Sequence, residues 1–218
     1  MGSADFSGLV IVMMDDYLVR AGDGFRRVDA TAHYSCERFA LEEIARPLST
    51  AVSPGHRIRP DHVWLPDPAN AEEYDKRIEE AGGVDLFLVA SGASDGHVAF
   101  NRPGTPPDSR TSLIELAETT RRDNLGTCPQ FRSIDEVPTH GVSVGLGTIA
   151  GWSRSVRLVI HGADKRQAAS RVLQATDFDP TWPATFIHRC RDAQIWLDRV
   201  ALDDTPVKLP RVRGHPHA

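Results

Sequence analysis

Short apolar runs alternate with amphipathic segments along this chain. Runs of consecutive apolar residues bounded by glycine, proline or acidic residues are typical of buried β-strands, and apolar residues spaced three and four positions apart are typical of helices. Strands are therefore predicted at Leu9–Met14, Val63–Leu65, Val84–Ala90, Leu113–Leu116, His140–Val144, Val156–Ile160 and Gln194–Leu197. Helices are predicted at Ser35–Leu48, Ala71–Ala81 and Lys165–Gln174.

The alternation of strands with helices predicts the fold class. Parallel strands joined by crossover helices form a sheet that helices cover on both faces. We therefore predict an α/β protein, a three-layer αβα sandwich around a Rossmann-like, mostly parallel sheet. No internal repeat or linker divides the chain, so one domain over residues 1–218 is expected, with a flexible tail at 205–218.

Polar residues follow directly after two of the predicted strands. Asp95 and His97, one glycine apart, come after the third strand, and Asp15 and Asp16 come after the first. In open α/β folds, ligands bind at the carboxyl ends of the parallel strands. An acid and an imidazole at that edge indicate catalysis on a small molecule. We expect Asp15 and His97 to line one cavity.

Charge and hydropathy exclude several classes of function. The net charge is −5 with acids and bases interspersed, so no surface for nucleic acid or an anionic membrane is indicated. No apolar run approaches the roughly 20 residues that span a bilayer, and no signal-like segment starts the chain. A cytoplasmic location is expected.

No metal and no organic cofactor are expected. The three cysteines, Cys36, Cys128 and Cys190, are far apart, and the histidines lack metal-ligand spacing. Gly145 and Gly147 are too few for a dinucleotide-binding loop.

Six short segments follow one another in an order that is similar to a known family. They are Met14–Tyr17 (M-D-D-Y), Asp95–Asn101 (D-G-H-V-A-F-N), Ser109–Thr111 (S-R-T), Val144–Thr148 (V-G-L-G-T), Gly162–Lys165 (G-A-D-K) and Pro183–His188 (P-A-T-F-I-H). Together they resemble the motifs of the glucosamine-6-phosphate deaminase/isomerase family, which is related to 6-phosphogluconolactonase. The D-G-H-x-A-F-N form favours the deaminase branch, because lactonases continue D-G-H-x-A-S-L-F.

The resemblance implies a reaction and a role for each motif residue. The expected reaction converts glucosamine 6-phosphate into fructose 6-phosphate and ammonia, so the expected partner is a small sugar phosphate. Asp15 would be the base that moves a proton between C2 and C1, and His97 would open the pyranose ring. Asp95 would orient the imidazole. Asp16 and Lys165 would contact the substrate, Lys165 at its phosphate.

Arg102 departs from the family pattern. Family members carry a glutamate at this position, where it cooperates with the histidine in ring opening. An arginine directed at His97 would disfavour the imidazolium form. If the side chain points away from His97, its planar guanidinium group suits a carboxylate or a phosphate. Arg102 is therefore a candidate substrate-binding residue.

The phosphate site departs from the pattern as well. By ungapped counting, a family arginine falls on Gly126. Family members also begin with a strand, a helix and a glycine-rich T-G-x-T-P loop, none of which precedes Asp15 here. The resemblance therefore implies either a fragment of a longer protein or an N-terminally shortened member of the family. A sheet without a central strand exposes edges and apolar surface, which predicts a homo-oligomer.

Other interpretations stay open at this stage. Asp15 and Asp16 also suit a helix cap, and His97 a structural turn. One rival function is a lactonase-like hydrolase in which His97 activates water. Another is a sugar-phosphate-binding protein without turnover.

Overall fold

A computed structural model describes residues 4–202, so the tail predicted at 205–218 lies outside the described residues. The strands are β1 (Ile11–Val12), β2 (Asp15–Ala21), β3 (Gly24–Arg27), β4 (Val63–Trp64), β5 (Val84–Ala90), β6 (Ser112–Glu115), β7 (His140–Ser143), β8 (Ser153–Ile160) and β9 (Asp192–Leu197). The α-helices are α1 (Cys36–Phe39), α2 (Arg46–Thr50), α3 (Ala71–Glu80), α4 (Glu118–Thr127), α5 (Leu146–Trp152), α6 (Arg166–Gln174) and α7 (Arg199–Leu202). Short 3-10 helices lie at Pro54–His56, Pro60–His62, Ile134–Glu136, Ala163–Lys165 and Pro183–Arg189.

The strands form three sheets. One is parallel, in the order β5-β8-β9, and a second parallel pair joins β1 to β4. The third is antiparallel, in the order β3-β2-β7-β6. The predicted α/β class with parallel strands and crossover helices is confirmed, and the antiparallel sheet is an addition that the apolar pattern did not predict.

The region after the first predicted strand differs from the prediction. Leu9–Met14 was expected to stop in a loop at Asp15, whereas a new strand, β2, begins at Asp15 and continues to Ala21. Asp16, Tyr17 and Leu18 are all buried there. A buried carboxylate inside a strand is uncommon, and for that reason the sequence pattern suggested a loop.

The predicted helix over Ser35–Leu48 is present but extends further. α1, a π-helical segment at Ala40–Ala45, and α2 follow one another without a break, from Cys36 to Thr50. Pro47 was expected to end the helix, but it lies in the first turn of α2.

The β5-β8-β9 sheet is covered on one face. Its inner side chains, among them Phe87, Val89 and Leu158, are at most 4% exposed and belong to the main hydrophobic core. The alternate residues Leu86 and Leu88 point outward and are 51% and 58% exposed. Helices on both faces were expected, and within residues 4–202 the outer face of this sheet remains open. None of the helices in that same range is long and apolar enough to cross a membrane.

Candidate active site

The turn after β5 holds an aspartate against an imidazole. Nδ1 of His97 donates a hydrogen bond of 2.6 Å to Oδ1 of Asp95, and the same oxygen accepts from the backbone N–H of His97 at 3.1 Å. Because an ionised carboxylate only accepts, Nδ1 carries the proton and Nε2 is the nitrogen left to act as a base. The side chain of His97 is 13% exposed, so a ligand can reach it.

Two threonines at the start of α4 hold the other oxygen of Asp95. Oδ2 accepts from the hydroxyls of Thr119 at 2.6 Å and Thr120 at 3.0 Å. Burial raises the pKa of Asp95, but the hydrogen bond and charge of His97 and the hydrogen bond of Thr119 outweigh it, so the net pKa lies below its usual range. Asp95 is therefore an ionised anchor for the imidazole. The sequence analysis missed both threonines, since nothing in their spacing distinguishes them from surface residues.

Two glycines let the turn close around this pair. A Cβ atom on Gly92 would lie 2.2 Å from Nδ1 of His97, and one on Gly96 would lie 2.4 Å from the indole nitrogen of Trp182. Gly96 also has a φ of 67°, a conformation that favours glycine. Both glycines of this turn are needed for the geometry of the Asp95–His97 pair, because a side chain at either position would collide with His97 or Trp182.

Asp15 lies at the start of β2 and shares the environment of His97. The thiol of Cys36 donates to its Oδ1 at 3.3 Å. Burial raises the pKa of Asp15 to about 7, the Cys36 hydrogen bond opposes that rise, Asp16 adds to it, and the charge of His97 lowers it. A carboxyl group with such a pKa is suited to proton transfer at neutral pH. The segments that carry Asp15 and His97 are linked through Val144, whose N–H donates to the carbonyl of Met14 at 2.8 Å and whose carbonyl accepts from the side-chain amide of Asn101 at 2.7 Å.

The environment of the Asp16 side chain differs from that of Asp15. Its side chain is fully buried, and Oδ1 accepts from the backbone N–H groups of Tyr17 at 2.9 Å and Cys36 at 3.0 Å. Oδ2 faces Nη1 of Arg27 at 3.9 Å. Burial raises the pKa of Asp16 to about 6, against the lowering effect of these backbone bonds and of Arg27. Asp16 therefore ties β2 to the first turn of α1.

Lys165 reaches the active-site turn from another element. It ends the 3-10 helix after β8, and its Nζ donates a 2.9 Å hydrogen bond to the carbonyl of Ser91, at the end of β5. In the sequence, Ser91 is followed directly by Gly92 and then by the turn that carries Asp95 and His97. The ammonium group thus lies at the carboxyl edge of the parallel strands, as expected from its motif.

Arg102 lies at the surface beside this centre. Its side chain is exposed and lines an open pocket of about 630 Å³ together with Thr105, Ser109 and Thr119. Thr119 separates that pocket from Asp95, to which it is hydrogen bonded. His97 and Asp15 do not line the pocket.

A buried carboxylate that the sequence analysis missed joins three segments. Asp75 of α3 accepts from the N–H and hydroxyl of Thr111, at 3.0 and 2.7 Å, and from the hydroxyl of Thr148 at 2.7 Å. It thereby connects the S-R-T and V-G-L-G-T segments, which are in direct contact: a Cβ on Gly145 would lie 2.1 Å from the carbonyl oxygen of Ser109. The signal was available, because Asp75 lies on the apolar face of α3.

Among residues 4–202, one group of side chains could hold a cation. The ligand atoms of Asp95, His97 and Asp123 lie within 4.8 Å of one another. The carboxylate of Asp123, however, accepts from the N–H groups of Ala93 and Ser94 and from the hydroxyl of Ser94 at 2.8 Å. Hydrogen bonds from protein donors therefore explain the positions of the Asp95 and Asp123 carboxylates.

The fold and the site define an α/β protein with an aspartate–histidine pair and a second, perturbed aspartate at the carboxyl edge of parallel strands. A sequence model of the family described as glucosamine-6-phosphate isomerases/6-phosphogluconolactonase matches residues 19–196. The chain belongs to this family.

Individual relatives agree with that assignment. The glucosamine-6-phosphate deaminase of Bacillus pumilus (strain SAFR-032) is 36% identical over 147 residues, which are 65% of this chain and 58% of that protein. The deaminase of Rhodococcus opacus (strain B4) is 30% identical over 197 residues, which are 90% of this chain and 70% of the relative. The solved structure of a monomeric glucosamine-6-phosphate deaminase matches with a TM-score of 0.73 and 26% identity, over 90% of this chain and 75% of that one. The chain therefore spans less than two thirds of the length of the Bacillus pumilus relative.

The Cys36 thiol makes a testable contribution to the site. Its hydrogen bond lowers the pKa of Asp15, so Cys36→Ala should raise that pKa further. The midpoint of the Asp15 carboxyl titration, observed by ¹³C NMR, should then move to higher pH, whereas Cys36→Ser, which retains a donor, should stay near the wild type. Superimposable titration curves for the alanine variant and the wild type would show that the bond has no effect.

The raised pKa of Asp15 also predicts how stability depends on pH. The folded protein keeps the proton up to about pH 7, while the unfolded chain releases it near the ordinary value of 3.8. Unfolding thus releases a proton between these values, so this group makes the free energy of unfolding fall as pH rises. Asp15→Asn should remove that dependence and gain stability relative to the wild type between about pH 4 and pH 7. Urea denaturation across this range measures the difference, and a constant difference would contradict the raised pKa.

Proposed function

We propose that this protein is an aldose–ketose isomerase/deaminase that converts glucosamine 6-phosphate into fructose 6-phosphate and ammonia. Two features support the proposal: burial raises the pKa of Asp15 to about 7 within the electrostatic influence of His97, and Asp95 holds Nδ1 of that imidazole. An isomerisation of this kind needs one base for a carbon-bound proton and a second acid/base for ring opening. The names of the relatives point to the same reaction.

In this mechanism the three catalytic residues have separate roles. Nε2 of His97 takes the proton from the C1 hydroxyl, Asp95 stabilises the imidazolium that forms, and the imidazolium returns the proton to the ring oxygen as the bond between C1 and that oxygen breaks. Asp15 then removes the C2 proton of the open chain and returns it to C1, which leaves C2 as an iminium group. Water adds to this carbon, and ammonia leaves as the C2 ketone forms.

The substrate-binding residues differ in how well their positions support a direct contact. We assign to Lys165 the contact with the sugar phosphate, which is supported by the position of its ammonium group beside the carbonyl of Ser91, at the end of β5. Arg102 is exposed in the adjoining pocket, where it can contact an anionic group without touching the imidazole. Asp16 has no exposed side-chain surface, so we assign it the positioning of Asp15 and Cys36 rather than substrate binding.

A lactonase reaction is the second candidate. It is favoured by Arg102, which stands where the deaminase branch carries the glutamate that assists ring opening. Hydrolysis of 6-phosphogluconolactone would need His97 to activate water and would not need a base at C2.

The two candidates are separated by assaying the protein with each substrate. With glucosamine 6-phosphate, the proposal predicts ammonia and fructose 6-phosphate in equal amounts, and loss of both products in His97→Gln. Lactone hydrolysis that survives in Asp15→Asn, with no ammonia from the amino sugar, would select the lactonase. Thermal stabilisation by glucosamine 6-phosphate without turnover would indicate a binding protein.

A further inference from the structure

The turn that carries Asp95 and His97 is held in place by α4. Within the turn, the N–H of Gly92 donates a 2.8 Å hydrogen bond to the carbonyl of His97. The carboxylate of Asp95 accepts from the hydroxyls of two α4 residues, Thr119 and Thr120. The position of the turn within the site therefore depends on this helix as well as on β5.

A third residue of α4, Asp123, holds the part of the turn that precedes Asp95. Its Oδ2 accepts from the backbone N–H groups of Ala93 at 2.9 Å and Ser94 at 3.2 Å, and its Oδ1 accepts from the hydroxyl of Ser94 at 2.8 Å. A carboxylate can accept all three bonds at once, because each of its oxygens has two lone pairs. Asp123 thus fixes the two residues that come directly before Asp95.

The carboxylate of Asp123 also lies near the imidazole. One of its oxygens, a ring nitrogen of His97 and an oxygen of Asp95 all lie within 4.8 Å of one another. A negative charge at this separation attracts an imidazolium, and the partly buried surroundings weaken that attraction less than bulk water would. Two carboxylates on different elements therefore face the imidazole, one from the turn and one from α4.

The helix that carries Asp123 is itself tied to the segment that follows it. Arg121 donates from Nε and Nη2 to the carbonyl of Val137, at 3.2 and 3.0 Å, and from Nη2 to the carbonyl of Ile134 at 2.5 Å. A residue on an anchored helix holds its partners more precisely than a residue on an unsupported loop. Asp123 is therefore well placed to fix the geometry of the turn.

We propose that Asp123 is a positioning residue for His97. It holds the turn so that the ring keeps one tautomer and one orientation, and its charge stabilises the imidazolium that forms when His97 carries a proton. This role rests on the proposed function, in which His97 is the acid/base of ring opening. Asp123 differs from Asp95 in that it acts through the backbone of Ala93 and Ser94. The sequence gave no indication of it, since Asp123 and Ala93 are 30 residues apart.

Variants at position 123 separate the hydrogen bonds from the charge. Asp123→Ala removes both, and it should lower kcat by about 100-fold with little change in KM, because Asp123 acts through the turn. Asp123→Asn keeps an oxygen for the two backbone N–H groups but loses the charge, so its kcat should fall less. Glu118→Gln is the matched control: Glu118 is an exposed acid of the same helix that accepts from Arg122, so kcat should stay at the wild-type value.

The ¹⁵N spectrum of the His97 imidazole tests the positioning role without turnover. At a pH where the ring is neutral, the wild type should carry its proton on Nδ1. Asp123→Ala should shift both ring nitrogens toward the average of the two tautomers, because the ring is no longer held in one of them. Asp123→Asn and Glu118→Gln should keep the wild-type spectrum. A loss of folding stability alone would lower the Tm and leave the tautomer as it is.

Two results would overturn this inference. One is an Asp123→Ala protein in which the His97 spectrum is the same as in the wild type, and the other is an equal loss of kcat in Asp123→Ala and Glu118→Gln. If the wild type releases no ammonia from glucosamine 6-phosphate while Asp123→Ala alters the His97 spectrum, the proposed reaction is wrong and the positioning role is supported.

Discussion

Asparagine in place of Asp15 should lower kcat with glucosamine 6-phosphate by about 10²–10⁴-fold, with little change in KM. Asparagine has the shape of aspartate and can still accept from the Cys36 thiol, but it cannot take a proton from carbon. The wild-type carboxyl group is partly buried, and its pKa of about 7 leaves much of it in the basic form at neutral pH. The variant should therefore fold, bind substrate and fail in the proton-transfer step.

Asp135→Asn is the matched control for this prediction. Asp135 is exposed in the 3-10 helix at Ile134–Glu136, so the same chemical change there should leave kcat and KM as they are. Steady-state kinetics with ammonia as the measured product compare the three proteins. An Asp15→Asn enzyme with wild-type kcat would remove Asp15 from the mechanism.

Asp75→Ala should lower the free energy of unfolding by about 3–5 kcal/mol. The change leaves three buried donors without an acceptor, namely the N–H and hydroxyl of Thr111 and the hydroxyl of Thr148. Each unsatisfied buried donor costs about 1–3 kcal/mol. The loss should also loosen the contact between Ser109 and the Gly145 turn, since Asp75 is the group that connects both segments to α3.

Asp108→Ala provides the comparison for Asp75→Ala. Asp108 is exposed in the loop that carries Ser109 and Thr111, so its removal should change the free energy of unfolding by no more than about 0.5 kcal/mol. Urea denaturation of both variants and the wild type measures the two effects. A loss below about 1 kcal/mol for Asp75→Ala would mean that water replaces the lost acceptor.

Several parts of the fold and site were predictable because they depend on local pattern. The apolar runs that became β5 and β8 are each interrupted by a single charged residue, Asp85 and Arg157, and are followed by polar residues and glycine. α3 and α6 have clear apolar faces. The Asp95–His97 contact follows from an acid and an imidazole two residues apart in a glycine-containing turn.

Other parts were beyond the sequence because they depend on contacts between distant segments. β2 was missed because Asp16 lies within it, and the partners of that buried carboxylate include the N–H group of Cys36, twenty residues further along the chain. The bonds from Thr119 to Asp95 and from Asp75 to Thr148 connect residues 24 and 73 positions apart. The uncovered face of β5-β8-β9 could not be predicted from the apolar pattern either, because Leu86 and Leu88 are as apolar as the buried Phe87 and Val89 that alternate with them.

The titration of Asp15, observed by carboxyl ¹³C NMR, tests most directly whether Asp15 and His97 share one site. The wild type should titrate near pH 7, and His97→Gln should move the midpoint upward, because the charge of His97 lowers the pKa of Asp15. His161→Gln, at an exposed histidine, should leave the midpoint unchanged. A midpoint near the ordinary 3.8, or one that is the same with and without the His97 imidazole, would show that the two side chains do not form one catalytic centre.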